Sequence, residues 1–388
     1  MKKTIYKYIF YEFVRYFIIT LFALAAIVWA VQAVNHLDLV IEDGHAFRVY
    51  FLYSLLTLSK IFTKLIPFSF MIATVLTILK LEKDNELIAL WTSGLNKIFI
   101  VNHLIRISLL VMFLQLVLTV ALNPTLLNLS RTILKNSELQ FVSSMFKEKQ
   151  FNDTVEGLTI FIEEKTDNNI YRNIFIRDES TILSSVGTKS STIIAKSGYM
   201  SDDEKNLILL NGNIQKLDNK DNVNIIKFEK TSFNLSGIST KSISQPKMQE
   251  TPTILMVQCL QAEQNRISKG TFDFHNRNIS TLNCSSDKNT LKNIKIEVNK
   301  RIGMPTYIPL IALICSFLLA SRRDKKIYQF NKYIYFFIGF LILTLAEITV
   351  RYSGTSWNHT LVYYLIPGGM IPIFYFALIR KFKYENLY

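Results

Sequence analysis

Residues 80–97 read KLEKDNELIALWTSGLNK, a short amphipathic stretch held between two long apolar runs. Glu82, Asp84 and Glu86 cluster at its start. Leu87, Leu90 and Trp91 recur at the i, i+3, i+4 spacing of one helical face. Gly94 suits the left-handed position just past a helix end. The pattern predicts a short helix at a membrane surface. Such a helix has two readings. It is a surface linker, or it docks in a groove on a partner, with apolar anchors giving affinity and Glu86 seeking a basic residue.

The flanking runs decide the fold class. Residues 16–34, YFIITLFALAAIVWAVQAV, match the length of a bilayer core. Residues 49–79 exceed one crossing, which predicts a long or tilted helix, with Pro67 as a kink. A third span is expected at 98–122, and three more near 303–320, 333–350 and 361–379. The loop after the first span carries Asp38, Glu42, Asp43 and Gly44.

Between the two triplets of spans lies a long polar island. Leu158–Glu163, Ile170–Asp178, Ser191–Ser197, Leu207–Leu210, Asn222–Lys230 and Thr231–Leu235 are short runs rich in Ile, Phe, Val and Thr. Turn signals separate them, among them Asn211-Gly212-Asn213 and the run 218–222. On Ile170–Asp178 one phase holds Arg172, Ile174, Ile176 and Asp178, and the other Asn173, Phe175 and Arg177. Strands at this spacing predict a β-sandwich or jelly roll. A Ser/Lys/Gln-rich linker is expected at 238–253, a short helix at 254–264, and a mobile polar stretch at 265–289. The expected organisation is spans one to three within 1–122, an all-β jelly-roll-like domain with linker at 123–300, and spans four to six within 301–388.

Composition agrees with this layout. The chain has 388 residues, of which 49% are hydrophobic, and a formal charge of +14. Residues 123–300 hold 23 Lys/Arg against 20 Asp/Glu, leaving 21 against 10 for the rest. The basic excess therefore flanks the apolar runs, which points to membrane topology rather than nucleic-acid binding. Lys2, Lys3, Lys7, Lys80, Lys83, Lys97, Arg322, Arg323, Lys325, Lys326, Arg380, Lys381 and Lys383 fall on one side. The short loops of the other side carry only Arg48 and Arg351. The first side is expected to be cytoplasmic, with both termini and the 80–97 helix, and the β domain outside. Cys259 and Cys284 have the option of pairing there, whereas Cys315 lies in an apolar run.

Taken together, these features resemble the LptF/LptG family, the permease subunits of the bacterial lipopolysaccharide exporter. The resemblance covers the whole chain: three plus three spans, the large inserted domain, and the motif around span two. That motif is Pro67, then Glu86-Leu87-Ile88-Ala89-Leu90 and Gly94-Leu95. A second motif is Glu297 and Arg301, four apart before span four, followed by Pro305. The segments Val28-Trp29 and Leu37-Asp38-Leu39-Val40 look more like LptF than LptG. Where the family often has a basic residue near the outer end of span one, this chain has Gln32, Asn35 and His36.

The resemblance implies a heterodimer with a homologous LptG-type permease in the bacterial inner membrane. It also implies a cytoplasmic LptB-type ATPase dimer that uses ATP, and LptC/LptA-type periplasmic jelly-roll proteins that receive lipopolysaccharide. Glu86, Leu87, Leu90, Trp91 and Gly94 would couple to the ATPase. Lys60, Lys64, Gln32, Asn35 and Arg301 would meet substrate, with Pro67, Glu297 and Pro305 structural.

The residues themselves limit the chemistry. No Walker loop, HExxH or H-x4-D motif occurs, and no metal cluster is expected, so no cofactor is expected on this chain and ATP is hydrolysed elsewhere. Lys60 and Lys64, four apart, share a helical face. They either snorkel to the interface or form a cationic rim for lipid phosphates. Arg301 and Glu297 can pair with each other, and Glu347 is expected to pair with Arg351 one turn on. The alternative to a transporter subunit is a membrane-anchored scaffold or sensor whose β domain binds a partner. A scaffold has no need of six spans or of an energy-coupling helix.

Overall fold

The computed structural model describes residues 2–41, 46–136, 148–155, 157–166, 170–179, 188–201, 206–218, 223–234, 247–269, 288–320 and 327–385. The expectations for Glu42, Asp43, Gly44, Cys284 and the 321–326 loop lie outside these residues. So do those for most of the linker and most of the 265–289 stretch. The chain packs as two compact units: Met1–Ala30, Thr57–Asn128 and Lys247–Tyr388 form the first, and Val31–Leu56 and Leu129–Pro246 the second.

Among the described residues, six helical stretches are long and apolar enough to cross a membrane: Lys3–Ile41, Phe47–Lys83, Lys97–Leu134, Asn289–Ala320, Lys332–Tyr352 and Trp357–Lys383. Helix α1 covers Lys2–Asn35, followed by the single turn α2 (Asp38–Ile41). The second apolar run is one helix of 37 residues, α3 (Phe47–Lys83), which continues through Pro67. Residues 80–83 therefore close α3 instead of opening the short helix. Asn85 then takes a left-handed φ of 58°, which turns the chain into α4 (Glu86–Thr92). Gly94 follows at φ 83°, the conformation expected of it.

Helix α5 (Lys97–Val117) starts at Asn96, whose side chain accepts from the Ile98 N–H. It runs into a π-helical turn, Leu118–Leu122, and then α6 (Asn123–Asn136), so helix continues past the expected boundary at 122. After the β strands come α7 (Thr253–Lys269), which covers the expected 254–264 helix, and α8 (Lys288–Gly303). Pro305 is buried in a 3-10 turn, Met304–Thr306, that bridges α8 to α9 (Tyr307–Ser316). All ten residues of α9 are buried. A helix apolar on every side belongs at the centre of a bundle, and Ile308, Ile311 and Ala312 pack there with Phe13, Phe70 and Leu104. Helices α10 (Ile327–Tyr352) and α11 (Trp357–Glu385) complete the set. Their outer faces and that of α1 leave Ile19, Phe22, Phe337, Ile348, Leu365 and Phe376 exposed.

The second unit holds six strands: β1 (Phe151–Val155), β2 (Leu158–Thr166), β3 (Ile170–Asp178), β4 (Thr188–Met200), β5 (Asn206–Asp218) and β6 (Val223–Asn234). They form one antiparallel sheet in the order β1-β2-β3-β4-β5-β6, so the expected jelly-roll-like domain is a meander. The expected turn Asn211-Gly212-Asn213 lies inside β5, and the two strands expected at 222–235 are one, β6.

A crease across the sheet explains why the turn signal misleads. Strands alternate with period two, yet the buried positions change phase. They run Tyr171 then Ile174 and Ile176 on β3, and Ile193 and Ala195 then Gly198 on β4. Asn173 (φ 49°) and Asn211 (φ 52°) sit at the change in left-handed conformation. One left-handed residue re-aims the strand, so both halves of the sheet face one core. That core unites Leu158, Ile160, Ile162, Tyr171, Ile174, Ile176, Leu207, Leu209 and Phe233. At Gly212 a Cβ would run into the Ile194 carbonyl and the Phe228 ring. The Asn-Gly pair thus serves a close approach within the sheet, and the phase expected for Arg172 fails because it lies beyond the crease, exposed.

Candidate functional site

Inside the first unit, a cavity of about 300 Å³ is lined by Lys60, Thr63, Lys64 and Pro67 of α3 and Gln115 of α5. Thr119, Asn123, Glu297, Lys300, Arg301 and Glu347 complete most of the wall. Its position follows from two breaks in helical bonding. Proline has no N–H, so Pro67 leaves the carbonyl four residues earlier, that of Thr63, without a helical donor. The Gln115 side chain supplies one: Nε2 donates to the Thr63 oxygen at 3.2 Å. The second break is the π-turn, where the Val120 carbonyl accepts from the Thr253 hydroxyl at 2.8 Å. Beside it, the Thr119 hydroxyl donates to the Arg301 carbonyl at 2.9 Å.

Arg301 is 4% exposed and fully committed within the chain. Its Nε donates to Glu297 Oε1 at 3.1 Å, the pairing that the spacing allowed. Nη1 donates to the Thr251 carbonyl (2.9 Å) and to Thr253 Oγ1 (2.7 Å). Nη2 donates to the Met248 and Gln249 carbonyls, each at 3.1 Å. A guanidinium has five N–H donors, and these bonds use all of them. Arg301 therefore rivets segment 248–253 to α8, and has no donor spare for the substrate role the sequence suggested. Glu347 pairs with Lys300, and not with Arg351 as the spacing had suggested, because its side chain turns into the cavity.

The charges left over are Lys60, half-buried, and Lys64, exposed. The carboxylates of the wall, Glu297 and Glu347, are engaged by Arg301 and Lys300. Among the described residues neither ammonium group has an ion-pair partner, and two such groups one turn apart on α3 make the cavity an anion site by charge. Gln32 and Asn35 belong to the second unit and take no part in this wall.

At the other end of α3, α4 is held by its own chain. Leu87 is buried in the helical core, with Leu90 and Trp91 packed against it. These three, read from the sequence as anchors for a partner, turn inward. Ile88, Ala89 and Thr92 form the exposed face. Glu86 accepts a hydrogen bond from the Tyr8 hydroxyl at 2.8 Å. Lys80 pairs with the buried Glu12 at 2.6 Å, and the Lys97 ammonium lies 5.8 Å from the Trp91 ring centre. Leu87 thus seats the short helix on the helical core, and the Tyr8 bond to Glu86 ties it to α1.

A family model, the lipopolysaccharide export system permease LptF/LptG, matches residues 7–381. The chain belongs to the LptF/LptG family. It is also similar to the uncharacterised protein RP871 of Rickettsia prowazekii (strain Madrid E), at 29% identity over 241 residues. That match covers 60% of this chain and 64% of the relative's length. The family is described as the permease of the lipopolysaccharide export system, a transporter component.

Within this LptF/LptG chain, sequence reasoning missed Gln115, Lys300, Glu12 and Tyr8. Gln115, a polar residue in the middle of the third apolar run, was a visible signal; the partners of the others required the fold. No group of three or more metal-ligating side chains occurs among the described residues. Cys259 is disulfide-bonded, and Cys315 is free and buried.

Proposed function

We propose that this chain is the permease subunit of an ABC-type exporter that extracts lipopolysaccharide from the bacterial inner membrane. In this reading it pairs with a homologous LptG-type permease and draws on an LptB-type ATPase dimer. It passes the glycolipid to LptC/LptA-type periplasmic jelly-roll proteins. Both termini and α4 face the cytoplasm and the β unit faces the periplasm, as the distribution of basic residues favours. The exposed face of α4, Ile88, Ala89 and Thr92, is the surface offered to the ATPase.

The observation that carries this reading is the pair Lys60 and Lys64. Among the described residues every other charge on the cavity wall has an ion-pair partner, and these two have none. An unpaired cation at membrane depth is costly unless a ligand brings the anion. Lipid phosphates supply it, while the apolar helix faces hold acyl chains. The scaffold alternative gives these lysines no task.

The test replaces both lysines with Glu in the assembled complex. Capture of lipopolysaccharide by a photocrosslinker at Thr63 should fall sharply, with complex assembly intact. Unchanged capture and export would leave the lysines as interface-seeking side chains and remove the support for this site.

A further inference from the structure

A separate groove of about 430 Å³ lies between α5, α9 and α11. Buried Pro309 and Leu313 line it together with Ile105, Ile371 and Pro372. Its rim is polar on one side. Asn102 and Arg106 stand one turn apart on the same face of α5, with Tyr375 opposite them on α11. The Tyr375 hydroxyl donates to Asn102 Oδ1 at 3.1 Å. That bond orients the amide, so its NH2 group is the end left to donate. The Arg106 guanidinium lies 5.4 Å from the Tyr6 ring centre and is exposed. Among the described residues no carboxylate lines the groove.

The surroundings are apolar: Leu109, Leu110, Ile373 and Phe376 are all exposed nearby on the same two helices, α5 and α11. A cation set among such side chains calls for an anion. Basic pockets between spanning helices meet this need with lipid head groups. The groove offers both halves of that chemistry, two converging donors over an apolar slot. Asn102 and Arg106 fall in the first half of α5, and Tyr375 in the second half of α11. The groove therefore lies toward the end of the helical unit that carries α4.

We propose that this groove binds an anionic glycerophospholipid from the membrane leaflet on the α4 side. The phosphate oxygens accept from Arg106 and Asn102, and one acyl chain lies along Pro309, Leu313 and Ile371. A zwitterionic lipid brings its own ammonium group, which competes with Arg106 for the phosphate. The site shares no residue with the Lys60–Lys64 cavity, so the two stand or fall separately.

The test is native mass spectrometry of the full-length protein in detergent with equimolar phosphatidylglycerol and phosphatidylcholine of matched acyl chains. Retention should favour phosphatidylglycerol about tenfold, the equivalent of one decade in dissociation constant. Arg106→Gln should abolish that preference, Asn102→Leu should reduce it, and Arg106→Lys should keep most of it. Arg106→Lys and Asn102→Leu keep the test open if Arg106→Gln fails to fold. Equal retention of the two lipids, or an unchanged preference in a folded Arg106→Gln protein, overturns the proposal. Displacement by inorganic phosphate at equimolar concentration would identify a free-anion site and also overturn it. So would a photocrosslinker at Ile371 that captures only protein.

Discussion

Arg301→Met removes the rivet and leaves its partners in place. Glu297, whose side chain is 16% exposed, loses its counter-ion. The Met248, Gln249 and Thr251 carbonyls and the Thr253 hydroxyl lose their donors. Breaking a buried ion pair by removing one partner typically costs about 3–5 kcal/mol. At about 1.4 kcal/mol per decade, that is roughly a hundredfold to a few thousandfold in the opening of segment 248–253. The amides of Glu250, Thr251 and Leu255 report it, since each donates to a carbonyl within or next to that segment. Hydrogen exchange read by mass spectrometry on peptides covering 248–260 should accelerate by that factor. Protection elsewhere, on α5 and α9 for instance, should change much less. Adding Glu297→Met should restore part of the protection, because the orphaned carboxylate is then gone. Unchanged exchange in Arg301→Met would refute the rivet. Lost export with exchange unchanged would return Arg301 to the substrate.

Three further outcomes are expected. Gln115→Leu strands the Thr63 carbonyl that Pro67 leaves open; it should lower stability by about 1–3 kcal/mol, while Gln115→Leu with Pro67→Ala should recover much of it, as read by thermal unfolding of the purified protein. Gly212→Ala places a methyl against the Ile194 carbonyl and the Phe228 ring, so overpacking should cost about 1–3 kcal/mol, and faster exchange in β4 and β5 would show it. On α4, Ile88→Asp should release a co-purifying ATPase with the helical unit still folded, whereas Leu87→Asp should unfold the short helix itself, since Leu87 is 6% exposed. Equal ATPase retention by Ile88→Asp and the unaltered protein would refute the outward-face reading.

Much of the layout is legible in the sequence because the bilayer imposes coarse rules. Apolar length marks the six spans, and they appear among the six helical stretches found. Gly94 marks the end of α4, and φ 83° there bears the reading out. The β unit was legible as strands, yet Asn211-Gly212 misled, because a left-handed Asn and a bare Gly serve a crease as well as a hairpin. The pairing of Glu297 with Arg301 was visible at i+4; the other acceptors of Arg301 were not, since they come from residues about fifty positions away in the chain.

By itself, the sequence determined hydrophobic length, charge placement and local backbone demands, all properties of residues near one another. Tertiary structure alone decided which charges remain uncompensated. Lys60, Lys64, Lys300 and Arg301 are equally cationic in the sequence. Only folding brings Glu347 to Lys300 and the 248–253 carbonyls to Arg301, leaving the two lysines of α3 facing the cavity with no ion-pair partner among the described residues. The same holds for α4, whose apolar stripe faces inward because α1 and α3 offer it a core before any partner does. Helical periodicity fixes which side chains share a face, but the direction of that face is set by which neighbour buries more apolar surface.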